Sequence, residues 1–394
     1  MNERGQHSMH TVIIGGGFAG IKTALELSRY QAGKITLISE RPYFLHHASL
    51  YSTATGHDPR ESMIPLDEIF AAHPEVTVVH DTLKSLDPER NLAVCRSKDY
   101  HYDNLVMALG SEIDYGGIKH AADHTYSVRN MEQITRFHDH LHETLARDHH
   151  VDRNYVIVGG GLTGVELAGA LKQYIEQLAA LYVAKKAKVR ITLVESESRL
   201  LPNASLQASY HVERRLASLG VSILKNCSVH ALDSEQITVG NKKIPTETVI
   251  WTTGVRNNVF YAKHPQYFDV SASGHVQVNP YLEAYRNIYV LGDNVAIRGS
   301  GQVKGAYGMA VFLADHLVRK ATTNSYVPYR AKHSPLTVPV GDDWAYAEYM
   351  GVYVTGWLGK LIHERHMYDG YRQIMSKAMA DAAVASHTTK IDNL

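Results

Sequence analysis

The sequence predicts an α/β fold built from two similar units, each a mainly parallel sheet flanked by helices, with the second unit inserted in the first. Three observations predict it: a strand, glycine turn, helix, strand and acid in order over residues 11–40, a second copy of that pattern, and apolar strands on both sides of the copy. A chain of 394 residues also exceeds the usual size of one core.

The first unit begins with TVIIGGGFAGIKTALELSRYQAGKITLISE, residues 11–40. Its opening β-branched run is typical of a parallel strand buried on both faces. Gly15, Gly17 and Gly20 form G-x-G-x-x-G, which permits a tight turn, close approach of a pyrophosphate and tight helix packing. Glu40 follows the next strand, where it can bind a ribose hydroxyl. These parts in this order predict a Rossmann-type dinucleotide site.

Short apolar runs predict the remaining strands of the first unit. They are Val76–Val79, Thr82–Leu86, Leu92–Cys95, Tyr100–Asp103 and Asn104–Leu109, the third and fourth forming a hairpin. Residues 41–56 lack steady periodicity and are expected to form a loop and a short helix. Gly110 ends the last strand, where the absence of a side chain lets the backbone leave the unit beside a ligand.

The second copy is YVIVGGGLTGVELAGAL at residues 155–171, displaced from the first by 144 residues. Its glycines are Gly159, Gly161 and Gly164. Glu195 closes its second strand and favours NADH, because a carboxylate repels the 2′-phosphate of NADPH. Arg199 lies close enough in sequence to soften that preference.

The other elements of the second unit and of the return to the first follow from apolar patterning. Helices are expected over Met131–Arg147, Leu167–Lys186 and Lys304–Lys320, and strands over Val189–Val194, Val221–Leu224, Val229–Leu232, Gln236–Val239, Thr248–Gly254 and Asn287–Leu291. Gly254 repeats the crossing role of Gly110. The predicted domains are 9–115 and 266–325 for the first unit, 116–265 for the inserted unit and 326–394 for the C-terminal region.

Composition argues against several other classes of protein. Lys plus Arg and Asp plus Glu both number 40, so no basic field is available for nucleic acid. The two cysteines, Cys95 and Cys227, offer no C-x-x-C, and no signal segment or long apolar run is present. His138 and His142 could share a helix face, but the segment is polar all round and no third ligand is evident, so no metal is assigned.

The two glycine motifs, the two glycine crossings and Tyr-Val-Leu-Gly-Asp at 289–293 resemble the two-dinucleotide-binding-domain flavoproteins. Within that superfamily the sequence is most similar to type II NADH dehydrogenases, which are single-chain NADH:quinone oxidoreductases. RPYFLHHASLYSTATG at 41–56, LVESESRLLP at 193–202 and VIWTTGVR at 249–256 also carry the resemblance, which covers about residues 10–320. It implies FAD in the first site and NADH in the second.

The resemblance also implies roles for particular residues. The FAD site would include Gly15, Gly17, Phe18, Ala19, Gly20, Glu40, Arg41, Leu83, Gly110, Asp293 and Lys304, and the NADH site Gly161, Leu162, Thr163, Gly164, Glu195 and Gly254. Glu166 matches a family glutamate beside the nicotinamide and the flavin, although a glutamate near a helix N-terminus also stabilises the helix.

Lys304 and Tyr307 are further candidates. A helix that begins near Lys304 would direct its positive end and the ammonium group at reduced flavin. An exposed lysine without that role is the alternative. Tyr307, one turn later, is expected either beside the flavin or quinone pocket or in the core.

Two departures from the family pattern concern the electron acceptor. Type II enzymes usually carry Ala-Gln-x-Ala-x-Gln beside the quinone, whereas the matching positions here include Val303, Lys304, Ala306 and Gly308. The Lys-x-x-Tyr arrangement is more similar to sulfide:quinone reductases, but their paired catalytic cysteines are absent. The expected acceptor is a quinone, either menaquinone or ubiquinone, or another small electron acceptor.

The tail suggests a membrane or dimer surface. One helix is expected to carry an apolar stripe comprising Leu358, Leu361, Ile362, Tyr368, Tyr371, Met375 and Met379, with cations at Lys360, Arg365, Arg372 and Lys377 facing lipid headgroups. A core or dimer interface would explain the same stripe. We expect a homodimer at the cytoplasmic face of the membrane.

Two other functions remain open from the sequence. One is a soluble NADH diaphorase or ferredoxin-type reductase that passes electrons to a protein. The other is a non-enzymatic flavoprotein that senses redox state.

Overall fold

The computed structural model describes residues 9–183 and 187–387 as a mixed α/β protein. Its strands, in chain order, are β1 (His10–Ile14), β2 (Lys34–Ser39), β3 (Tyr43–Leu45), β4 (Met63–Pro65), β5 (Val76–His80), β6 (Leu83–Asp87), β7 (Leu92–Cys95), β8 (Asp99–His101), β9 (Asn104–Met107), β10 (Ser111–Ile113), β11 (Tyr155–Val158), β12 (Ile191–Val194), β13 (Ser222–Leu224), β14 (Val229–Leu232), β15 (Gln236–Val239), β16 (Lys242–Pro245), β17 (Thr248–Trp251), β18 (Val255–Asn257), β19 (Glu283–Tyr285), β20 (Ile288–Val290), β21 (Leu336–Pro339), β22 (Ala345–Tyr349) and β23 (Val352–Gly356).

The α-helices are α1 (Phe18–Arg29), α2 (Leu50–Thr53), α3 (Leu66–Phe70), α4 (Ala121–His124), α5 (Met131–Leu141), α6 (Leu162–Tyr182), α7 (Leu206–Ser218), α8 (Val259–Ala262), α9 (Val303–Thr322), α10 (Trp357–Tyr371) and α11 (Lys377–His387). Short 3₁₀ segments occupy His47–Ser49, Pro59–Glu61, Pro88–Arg90 and Gly292–Asn294, and a π-helical turn, His142–Arg147, extends α5.

Two mainly parallel sheets organise the protein. The first has the order β19-β20-β9-β1-β2-β5, and all of its pairs except β19 with β20 are parallel. The second has the order β13-β12-β11-β17 and is wholly parallel. Strands of the first sheet come from both sides of the second in sequence, as the predicted insertion requires. The α/β class with two Rossmann-type sheets is therefore confirmed, while the domain bounds stay predictions.

Each sheet carries its glycine turn at the carboxyl end of its central strand. Gly15 and Gly159 have φ angles of +115° and +112°, a region that side-chain-bearing residues rarely adopt. A Cβ on Gly20 would lie 1.9 Å from the Gly15 carbonyl oxygen, and one on Gly164 would lie 1.8 Å from that of Gly159. The third glycine of each motif therefore lets the helix pack directly on the turn.

The C-terminal region differs from the prediction of one amphipathic helix. Two helices, α10 and α11, are separated by residues 372–376. Tyr371 and Met375 pack in the core of the first sheet, whereas Leu361 is exposed. The helix is interrupted within the apolar stripe, so part of the stripe packs in the core and part faces solvent. The residue spacing alone did not reveal this interruption.

Other elements were missed. Residues 41–56 contain β3 as well as the expected short helix. The 13-residue helix α7 was not predicted, and neither were the short helices α3, α4 and α8 or the strands β4, β10, β16, β18, β19 and β21–β23. The described part of α6 ends at Tyr182, and the predicted end at Lys186 lies outside the described residues. The antiparallel hairpin of β7 and β8 is confirmed.

Replacing Gly164 with alanine tests the packing of the second motif. We expect Gly164→Ala to lower the free energy of unfolding by about 1–3 kcal/mol, because its Cβ would press on the Gly159 backbone. The matched control is Gly161→Ala, because a Cβ there meets no atom within 4 Å. Chemical denaturation of both variants measures the difference, and equal stabilities would contradict this account of the turn.

Candidate active site

A cavity of about 1530 Å³ is lined by residues from both glycine motifs. Gly15 and Phe18 contribute from the first motif, and Leu162, Thr163 and Glu166 from the second. Ordinary small-molecule sites occupy about 300–1,000 Å³, so this volume suits a larger ligand or two ligands together. The cavity therefore reaches both glycine motifs, although Gly161, Gly164 and Glu195 of the predicted second site are not in its wall.

Three helices begin at this cavity without protein groups to neutralise their positive ends. The residues before α1, α6 and α9 are Gly17, Gly161 and Gln302, and none provides a side-chain cap. No acidic residue lies in the first turn of any of the three helices. Free N–H groups and the helix dipole favour anions at such positions. The arrangement fits the pyrophosphates of two dinucleotides.

The second glycine of each motif supports the same conclusion. Gly17 and Gly161 have ordinary φ angles of −97° and −73°. A Cβ at either position would meet no protein atom within 4 Å. Neither backbone geometry nor packing therefore requires glycine there. The open space in front of each helix lets a phosphate approach the backbone closely.

The first predicted site is largely assembled around the cavity. Ala19, Glu40, Arg41, Leu83 and Asp293 all line its wall together with Gly15, Gly17, Phe18 and Gly110. Glu40 is exposed and follows β2, where a ribose would lie after a Rossmann turn. Gly20 lies behind the turn and acts through packing, as described above. Contact of these residues with FAD stays a prediction.

Glu195 lies differently from its counterpart Glu40. Its carboxylate is buried and accepts hydrogen bonds from the backbone N–H groups of Gly160, at 2.7 Å, and Glu197, at 2.8 Å. The Ser196 hydroxyl also donates to it, at 3.1 Å. Glu195 therefore fixes the second glycine loop, and its predicted contact with a ribose is untested.

The two glycine crossings meet in space. Gly110 and Gly254 both have positive φ, +68° and +65°, and lead into β10 and β18, which pair in an antiparallel manner. A Cβ on Gly254 would lie 2.0 Å from the Asp114 carbonyl oxygen. Gly254 is absent from the cavity wall, so the geometry supports a role in the crossing rather than direct cofactor contact.

Glu166 lies on α6 at the junction of the two units. Burial raises the pKa of its carboxyl well above the ordinary value. Among residues 9–183 and 187–387, none forms a hydrogen bond with this carboxyl. Burial, with a smaller contribution from Glu166, raises the pKa of Tyr51 as well. A carboxyl held this way can donate a proton or a hydrogen bond near neutral pH.

Lys304 and Tyr307 reach the cavity in different ways. The Lys304 ammonium contacts the His366 imidazole from α10, and partial burial lowers the pKa of both groups. The Tyr307 hydroxyl donates to the Gly370 carbonyl at 3.2 Å, and its ring packs edge-on to Phe18. Both side chains line the cavity, with Tyr307 held by packing.

Sequence reasoning missed several polar residues of the wall. The Arg129 guanidinium donates to the Ser111 hydroxyl at 2.8 Å, which donates to Asp293 at 3.1 Å. His363 is buried, and burial lowers its pKa to about 3, so the imidazole is neutral. Arg129 and His363 belong to no motif, and only the position of Ser111 directly after Gly110 gave a signal.

The described residues form neither a pair of reactive cysteines nor a metal site. Burial raises the pKa of the Cys95 thiol to about 12, so it remains protonated, and Cys227 belongs to a different apolar cluster. In the part of the chain that the structure describes, no three His, Cys, Asp or Glu side chains form a metal-binding group. No described helix is both long and apolar enough to cross a bilayer.

The sequence is similar to known dinucleotide-dependent oxidoreductases. The sequence profile of the pyridine nucleotide-disulphide oxidoreductase family matches residues 9–310. A type II NADH:quinone oxidoreductase of Staphylococcus saprophyticus is 26% identical over 320 residues, covering 75% of this chain and 77% of the relative. A protein of the same name from Staphylococcus aureus is 27% identical over 321 residues, with the same coverage.

Solved structures share the fold over nearly the whole chain. NDH2 from Plasmodium falciparum, solved in complex with NADH, matches with a TM-score of 0.83 at 14% identity, covering 96% of this chain and 98% of the other. The sulfide:quinone oxidoreductase of Aquifex aeolicus matches with a TM-score of 0.79 at 21% identity, covering 94% and 92%. At these identities the similarity establishes the fold.

The raised pKa of Glu166 makes a testable contribution to stability. The folded carboxyl keeps its proton to higher pH than the unfolded one, so its contribution is complete below the unfolded pKa and is lost as pH rises toward the folded pKa. We expect wild type to lose stability relative to Glu166→Gln as the pH rises above the ordinary carboxyl pKa of 4.5, because the folded carboxyl then holds a proton that the unfolded one releases. Denaturant unfolding at a series of pH values measures it, and a pH-independent difference would contradict it.

Proposed function

The chain belongs to the pyridine nucleotide-disulphide oxidoreductase family, and we propose that it is an FAD-dependent NADH dehydrogenase that reduces a quinone. The observation that carries this proposal is the cavity shared by the two glycine motifs. FAD would bind at α1 and NADH at α6. When bound, FAD supplies a two-electron carrier that accepts hydride from NADH and passes electrons to the quinone.

The protein would bind the two ligands and stabilise the negative charges on them. The uncapped N-termini of α1 and α6 would bind the two pyrophosphates, and Glu40 a ribose of FAD. The N-terminus of α9, together with Lys304, would stabilise negative charge at the far end of the first site. Glu166 would hold a proton where the two ligands meet.

The hydrogen bonds that Arg199 makes within its own loop favour NADH over NADPH. Its guanidinium donates to the carbonyl oxygens of Leu201, at 3.1 Å, and Ala204, at 3.0 Å, and also to that of Pro202. The arginine therefore holds its own loop and is poorly placed to bind a 2′-phosphate. Glu195 keeps negative charge beside the glycine loop and would repel such a phosphate.

The chain's own residues favour a quinone as acceptor over a disulfide. The sequence contains two cysteines, and they lie in different clusters with Cys95 inert, so no thiol pair can pass electrons onward. The relatives from both staphylococci are named type II NADH:quinone oxidoreductases. The cavity extends to α10, where His363, His366 and Met367 line it. Lys304 and His366 would provide polar contacts in place of the missing glutamines.

An apolar surface beside that wall supports contact with a membrane. Met350 and Val352 at the β22–β23 turn are 77% and 75% exposed, and Trp357 and Leu361 on α10 are 71% and 57% exposed. Helix α10 thus exposes apolar side chains, while His363, His366 and Met367 of the same helix line the cavity. A lipid-soluble quinone could enter along this helix.

The predicted headgroup cations are mostly engaged within the protein. Lys360 pairs with Glu364, Arg365 pairs with Asp369, and Arg372 donates to a backbone carbonyl. We therefore propose that apolar burial, more than charge, holds the protein at a bilayer. The homodimer and the cytoplasmic location stay predictions.

Steady-state oxidation of NADH tests the proposed activity. We expect purified protein with bound FAD to oxidise NADH continuously only when a short-chain quinone is present, and to use NADPH more slowly. Glu166→Gln should slow quinone-dependent turnover about tenfold or more, with FAD content unchanged. Turnover with dyes or protein acceptors but not with quinones would contradict the proposed acceptor.

Binding to phosphatidylcholine vesicles tests the apolar surface. We expect the double variant Trp357→Ser with Leu361→Ser to bind about tenfold or more weakly, because two exposed apolar side chains would be lost from the lipid contact. Leu181→Ser is the control, since Leu181 is 68% exposed but lies near the end of α6. Cosedimentation measures the affinities, and equal binding by the double variant and wild type would reject this surface.

A further inference from the structure

Six polar side chains form an unbroken hydrogen-bonded row beneath the cavity. In order from the cavity outward they are His46, Ser49, Ser62, Thr53, Glu61 and His387. We propose that this row, the His46–His387 relay, carries protons from solvent to the quinone, an inference that rests on the proposed function.

The inner links of the relay are short. His46 Nδ1 and Ser49 Oγ are 3.1 Å apart, and Ser49 Oγ is 2.9 Å from Ser62 Oγ. Ser62 Oγ lies 2.6 Å from Thr53 Oγ1. Each hydroxyl can donate one hydrogen bond while accepting another, so a proton can move along the row as the hydroxyls reorient. The links therefore form a continuous path.

The outer links lead to the C-terminal helix. The Thr53 hydroxyl donates to Glu61 Oε1 at 3.4 Å, and His387 Nδ1 lies 2.6 Å from Glu61 Oε2. The Glu61 side chain is fully buried, whereas that of His387 keeps 23% of its surface exposed. His57 stacks on the His387 ring. A proton reaching His387 from solvent can thus pass to a carboxylate that is itself fully buried.

The inner end of the relay faces the cavity. His46 lines the cavity wall, and its ring lies 4.5 Å from that of Tyr371. Its Nε2 forms no hydrogen bond with any residue of the described ranges, so this nitrogen remains available to a ligand. Burial lowers the pKa of His46 to about 3, which keeps the ring neutral. A neutral imidazole passes a proton by exchanging tautomers.

The burial of this row argues against a purely structural purpose. Ser49, Thr53, Glu61 and Ser62 are each at most 2% exposed. A buried carboxylate and its partner are often no more stabilising than apolar side chains of the same volume. Tyr371, which donates to the Glu61 carbonyl at 2.8 Å, already fastens the C-terminal region here.

Reduction of a quinone requires a supply of protons from solvent. Reduction of a quinone to a quinol takes two electrons and two protons. The hydride from NADH contributes both electrons and one proton, leaving NAD⁺, so one further proton must come from solvent in each turnover. The relay would deliver that proton, while hydride transfer from NADH to flavin would not depend on it.

Thr53→Val removes one hydroxyl from the middle of the relay and leaves its volume filled. In the complete enzyme we expect quinone-dependent turnover to slow about tenfold or more and its solvent deuterium isotope effect to rise. The rate at which NADH reduces the bound flavin anaerobically should stay unchanged. Thr55→Val is the matched control, because Thr55 is equally buried in the same segment but bonds only to the carbonyls of Tyr51 and Ser52.

A second readout needs no turnover. The ¹⁵N resonances of His46, assigned by their loss in His46→Gln, should shift in Thr53→Val and in Glu61→Gln but not in Thr55→Val. Ser62→Ala interrupts the same row and replaces Thr53→Val if that variant does not fold, as judged by its melting temperature.

The outcomes separate the relay from the proposed function. Wild-type turnover with quinone, together with unchanged turnover and unchanged His46 resonances in a folded Thr53→Val or Ser62→Ala variant, would overturn the relay alone. Failure of the wild type to reduce any quinone while NADH still reduces its flavin would overturn the proposed function.

Discussion

The antiparallel pairing of β10 with β18 is the contact on which the arrangement of the site depends. It joins the two strands that directly follow the glycine crossings, so the exits from the two parallel sheets are tied together. The pairing places the start of α1 and the start of α6 on one cavity. Because both helices present free N–H groups there, two anionic ligands can be held facing each other without any charged side chain at the phosphates.

The polar groups around this cavity divide into those satisfied by the protein and those left for ligands. Asp293, which lines the cavity, and Glu195 and Arg199, which lie outside its wall near the second glycine turn, are hydrogen-bonded within the protein. Glu166 and the outward nitrogen of His46 have no such partner among the described residues. Leaving a polar group unpaired costs free energy, so these groups mark where substrate chemistry would compensate.

Local patterns were sufficient to predict the two Rossmann-type sheets, because glycine turns and β-branched strands depend on nearby residues. The family resemblance placed Glu166, and the predicted start of a helix near Lys304 placed that lysine, beside the flavin site, and both residues line the cavity. The break between α10 and α11 could not be predicted, since the apolar spacing continues across it while the partners of each half differ. The relay could not be predicted for the same reason, because Glu61 and His387 are more than three hundred residues apart in sequence and meet only in the folded protein. Residues whose roles depend on distant contacts carry little local signal.

The central claim is that NADH and FAD lie in contact within one cavity, so that hydride passes directly between them. Anaerobic stopped-flow mixing of the yellow protein with NADH, compared with NADH deuterated at the transferred position of C4, tests it most directly. The account predicts rapid bleaching of the flavin that slows several-fold with the deuterated substrate, as expected when a C–H bond breaks in the measured step. A protein that binds flavin but is left oxidised by NADH would contradict it.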